Sequence, residues 1–146
     1  MMKVEIYTET SIRSPRKQSG HFGYILVYRP EGKDDATMSD FKECPDVTPH
    51  EIELQAMICA MKRLNRPCNV RLIQSNQYIQ NMVISGNLSR WKETGWITAK
   101  GEEVKNKELW QQLSELLDLH TVTWSEDTGY QQWLIRELQK RKEKKL

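Results

Sequence analysis

The chain is 146 residues long, with 22 Lys and Arg against 20 Asp and Glu and a formal net charge of +2 at neutral pH. Its 38% hydrophobic and 29% charged residues suffice for one buried core, and no apolar run approaches the roughly 20 residues of a membrane-spanning helix. A single domain over 1–146 with no membrane partner is expected, and so small a net charge leaves the choice of partner open.

The opening MMKVEIYTET alternates polar and apolar residues at the period of a strand. It lacks the continuous apolar stretch of a secretory signal, so residence in the cytoplasm is expected. Cys44, Cys59 and Cys68 are odd in number and form no CxxC pair, which reads as ordinary thiols rather than a disulfide framework or a zinc site. A loop over 11–20 rich in Ser, Pro and basic residues, Arg13 and Arg16 among them, leads to an aromatic and β-branched strand over 21–28 and a weaker one over 37–43.

Thr48, Pro49 and Glu51 form a helix start, with a Thr N-cap, Pro at the first helical position and an acidic residue closing a capping box. Leu54, Met57, Ile58, Met61 and Leu64 then recur at helical spacing until Pro67 ends the segment. A strand is predicted over 69–75, short helices over 77–84 and 88–96, a strong helix capped by Asn106, a strand over 121–124 and a terminal amphipathic helix over 130–144. The order implies an α/β fold with a five-stranded mixed sheet, an antiparallel meander followed by strands that return through helices parallel to the first. Ligands on such sheets gather at the carboxyl ends of the parallel strands, which brings Glu9 and Ser75 to one site.

VEIYTETS, EIELQAMICAM, SNQYI and above all RWKETGW followed by VKNKELWQQL resemble bacterial type 1 ribonuclease H, in order, over residues 4–124. The resemblance implies the ribonuclease H-like fold and cleavage of the RNA strand of RNA/DNA hybrids by two divalent ions held on four carboxylates. Carried over singly, the first carboxylate falls on Glu9, where TDG becomes Thr8, Glu9, Thr10, and the second on Glu53. The third falls on Ser75, because TDSQ is here Gln74, Ser75, Asn76, Gln77. Matching the family's DEL to Arg136, Glu137, Leu138 puts the cation Arg136 at the fourth, while a one-residue slip offers Glu137, and Glu126 or Asp127 of the shortened loop are further candidates.

Two magnesium ions need anionic oxygens that Glu9 and Glu53 alone do not supply in number. No bound metal or other cofactor is therefore expected, with Glu9 and Glu53 the remaining weak metal candidates. Arg136 is expected either to pair with one of them or to lie on an outer helix face. The resemblance carries nucleic-acid contacts to Gln77, Trp91, Lys92, Trp96, Lys105 and Asn106, with Arg13 and Arg16 as nearby cations. An Asn pair of the family is here Pro49 and His50. For Trp91, Trp96 and Trp110, core packing competes with base stacking. The expectation is a non-hydrolytic protein that binds an RNA/DNA hybrid or duplex, or a protein partner. The alternative is an endoribonuclease with a rearranged carboxylate set that uses magnesium or manganese.

Overall fold

The computed structural model describes residues 1–127 and 129–143; Lys144, the last residue of the predicted terminal helix, lies outside the described residues. Strands β1 (Met2–Thr10), β2 (Gln18–Tyr28), β3 (Ala36–Val47), β4 (Cys68–Gln74) and β5 (Thr121–Trp124) form one sheet in the order β3-β2-β1-β4-β5. β1 runs antiparallel to β2 and parallel to β4, and β4 runs parallel to β5, as the hairpin and helical connections require. β1 is central and buried on both faces, so residues 4–9 are all buried. β3 is longer than predicted and includes Pro45, which an edge strand tolerates because its outer N–H groups need no sheet partner.

Helix α1 (Pro49–Met61) starts on the predicted box: the Glu51 N–H donates to Thr48 Oγ1 and the Thr48 N–H donates to Glu51 Oε1, each at 3.2 Å. The sheet packs on one side of α1 and α4 (Lys107–Asp118) on the other, which explains why α1 is buried nearly all round rather than along one stripe. Between them in sequence lie the short helices α2 (Tyr78–Ile84) and α3 (Asn87–Thr94). Trp110 and Leu113 of α4 are fully buried, and Trp91 meets Trp110 edge-on at 5.5 Å, so core packing claims both rings. Asn106 does not cap α4 through its side chain. It takes a left-handed conformation (φ 59°), which Asn accepts more readily than most residues, and turns the chain into the helix.

The opposite face of the sheet carries a much smaller cluster, Tyr7, Ile25, Val27 and Ile73 under Leu134, covered by α5 (Gln131–Glu143). Gly23 lets this helix approach: a Cβ there would lie 2.6 Å from the Phe41 ring and 3.1 Å from Leu134 Cδ1. A polar network ties the start of α5 to the sheet. Arg29 forks onto Glu5 Oε1 at 3.0 and 3.2 Å and reaches Asp35 at 2.8 Å, and the Tyr130 hydroxyl donates to the same Asp35 oxygen at 2.6 Å. Among the described residues, no helix is long and apolar enough to cross a membrane.

Candidate functional site

The parallel pairing of β1 with β4 aligns Thr8 with Gln74, so the residues that follow, Glu9 and Ser75, emerge together at the carboxyl end of the sheet. The Ser75 N–H donates to Glu9 Oε2 at 2.9 Å, and beneath it the Gln74 amide donates to Thr8 Oγ1 at 2.7 Å. Glu53, on the second turn of α1, faces the same cavity of about 700 Å³ as Glu9, Ser75, Gln77 and Arg13. Both carboxylates are 5% exposed, whereas Ser75 and Gln77 are open to solvent.

Glu53 Oε2 has no hydrogen-bond partner among the described residues. Burial, reinforced by the negative charge of Glu9, lifts its carboxyl from 4.5 to about 7, so near neutral pH Glu53 holds a proton much of the time.

The fourth side of the site is Gln131, which the sequence reading missed. Its Nε2 donates to Ser75 Oγ at 3.0 Å and to Glu9 Oε2 at 3.4 Å. A carboxylate only accepts, so the NH₂ end of the amide is the one that faces Glu9. Just ahead of α5, Asp127 Oδ1 accepts the N–H of Gly129 at 2.8 Å and that of Gln131, the first residue of the helix, at 3.2 Å. These bonds, the Gly129 one foremost, hold the Asp127 carboxyl below the usual carboxylate range. The start of α5 lies within one residue of its predicted place, but nothing local in the sequence marks Gln131 as facing Glu9.

Arg136 does not enter the site and makes no ion pair with Glu9 or Glu53. It is exposed, five residues past Gln131, which at about 1.5 Å and 100° per residue carries it some 7.5 Å along α5 and roughly 140° around it. Glu137 also points away, pairing with Lys140 at 2.9 Å and Arg141 at 3.5 Å, and Glu126 is exposed on the loop.

A second cavity of about 660 Å³ continues from Glu53 and Arg13 and is lined by Pro49, His50, Tyr78, Lys105 and Asn106. Burial, with Lys105 nearby, keeps the His50 ring below its ordinary proton affinity. The remaining expected contact residues lie apart. Lys92 pairs with Asp118 at 3.0 Å, and with Trp96 it borders a separate hollow against α4. Arg16 is exposed on the loop before β2, and Trp91 belongs to the core margin.

The sequence model of the RNase H family matches residues 1–129. Ribonuclease H of Acetivibrio thermocellus is 38% identical over 130 residues, covering 89% of this chain and 84% of the relative. Ribonuclease H of Stutzerimonas stutzeri is 36% identical over 127 residues, covering 87% and 80%. Among solved structures, LC9-RNase H1, a type 1 RNase H with the type 2 active-site motif, superposes with a TM-score of 0.77 at 18% identity, covering 95% of this chain and 71% of that one. The foamy viral protease-reverse transcriptase in complex with RNA/DNA hybrid superposes with a TM-score of 0.73 at 20% identity, covering 94% of this chain and 19% of that one.

Proposed function

The chain belongs to the ribonuclease H family, and from that premise we propose that it keeps the family's nucleic-acid groove while having given up two-ion hydrolysis. The observation that carries this reading is the Gln131 amide, bonded to both Glu9 and Ser75 where an anionic ligand set would be needed.

Hard divalent cations are held by anionic oxygens that compensate for the water they lose. Among the described residues, Glu9 and Glu53 are the only carboxylates lining the cavity. Glu9 Oε2 already accepts from Ser75 and Gln131. This donor set does not suit a pair of divalent ions.

The groove supports binding. Arg13 borders both cavities and Lys105 the second, cations suited to phosphate, while Gln77 and Asn106 offer amides. The experiment is fluorescence anisotropy of a labelled RNA/DNA hybrid at low salt, run beside a cleavage assay with magnesium and with manganese. Binding that weakens steeply with salt, together with no cleavage above that of Glu53→Gln, is expected. Anisotropy no different from an uncharged control would overturn the binding half.

A second reading, an endoribonuclease with a rearranged carboxylate set using magnesium or manganese, draws on the burial of Glu9 and Glu53 against one cavity and on relatives named Ribonuclease H. Cleavage that disappears in Glu53→Gln would establish it in place of the first.

A further inference from the structure

His50 opens α1 beside the second cavity, and its ring lies flat on that of Tyr78, with centroids 3.5 Å apart and planes 1° from parallel. Tyr78 in turn meets Trp110 edge-on at 5.9 Å, and Trp110 is fully buried in the core. The plane of His50 is thus fixed by a column of rings reaching into the protein, while His50 itself is exposed. An aromatic plane held this way loses little conformational entropy when a flat ligand covers it.

Arg13 and Lys105 line the same cavity, one on the loop after β1 and the other before α4. At about 660 Å³ the cavity falls within the roughly 300–1,000 Å³ of small-ligand sites and is ample for one nucleotide. A neutral ring flanked by two cations is the combination that single-stranded nucleic acids require: a π-face for the base, positive charge for the phosphates on either side. In a duplex both faces of an internal base are covered by its neighbours, so the His50 plane offers a paired strand nothing.

We propose that this cavity takes one unpaired base of a single-stranded nucleic acid, stacked on His50, with Arg13 and Lys105 on the adjoining phosphates. The proposal rests on the reading of the chain as a nucleic-acid binder and adds a preference that reading does not contain.

The test is anisotropy with a labelled single-stranded RNA of mixed sequence and with the same strand annealed into an RNA/DNA hybrid, using the wild type, His50→Ala and His50→Phe. His50→Ala should weaken single-strand binding about tenfold, the lower part of the range for one base stacked on one ring, and leave hybrid binding within about twofold. His50→Phe, which keeps a plane, should restore single-strand binding. Single-strand binding unchanged in His50→Ala, or equal losses for single strand and hybrid, would overturn this proposal while leaving the binding function standing. Failure of the wild type to bind either probe would overturn both.

Discussion

Gln131 and Glu9 are 122 positions apart in the chain, and their side chains meet at 3.4 Å. An amide donor at that place stabilises one carboxylate without any ion. Replacing it and its neighbour with acids, Ser75→Asp together with Gln131→Asp, should crowd four carboxylates into one cavity. The double variant is expected to lose on the order of 2 kcal/mol in the presence of a chelator, a fall of about 4–8 °C in Tm, and to regain it in millimolar magnesium. Thermal melts with and without the ion check this; a variant as stable as the wild type in chelator would contradict the crowding.

The raised Glu53 carboxyl makes stability depend on pH. The folded chain holds this proton up to about 7 and the unfolded chain releases it near 4.5, so across that window the native state binds more protons. Its contribution is complete below about 4.5 and is lost as pH rises through about 7. The loss is on the order of 3 kcal/mol, at about 1.4 kcal/mol per pH unit. Urea titrations at about pH 5 and about pH 8 should show this decline in the wild type and a flatter profile in Glu53→Gln.

Gly23 should resist even a methyl group. With Phe41 and Leu134 so close to a Cβ there, Gly23→Ala is expected to cost about 1–3 kcal/mol and to accelerate amide exchange in α5 more than in α1. Equal acceleration in the two helices would argue against α5 docking as the feature disturbed.

Removing the α1 cap leaves the Glu51 N–H without its side-chain acceptor. Thr48→Ala should lower stability by about 1 kcal/mol, and Thr48→Ser should recover most of it, as read from the urea midpoint.

The parts of the fold that local rules govern were readable. The alternation after Met2, the Thr48 box and the order of strands and helices anticipated the sheet and α1, because each signal lies within a few residues of the element it sets. β3 outran its predicted ends because pairing along β2, rather than its own residues, extends it as far as Val47. Glu9 and Ser75 could be brought together from sequence because parallel register fixes strand ends. The terminal helix starts within one residue of its predicted start, and of the two places expected for Arg136 the structure shows the outer helix face; Gln131 had no signal, because its role depends on the distant Glu9 and Ser75. The stack of His50 on Tyr78 had no sequence signal at all, since it joins the first turn of one helix to the first residue of another.

The sheet is padded unevenly: a thick layer on the side of α1 and α4, and a single helix resting on four side chains on the other. Partial openings begin where the least apolar surface must be uncovered, which here is the lift-off of α5. Gln131 leaves with that helix while Glu9 and Glu53 stay on the rigid half. Baring Glu9 on that side is therefore expected to cost less than unfolding the whole chain, which faster amide exchange in α5 than in α1 would register.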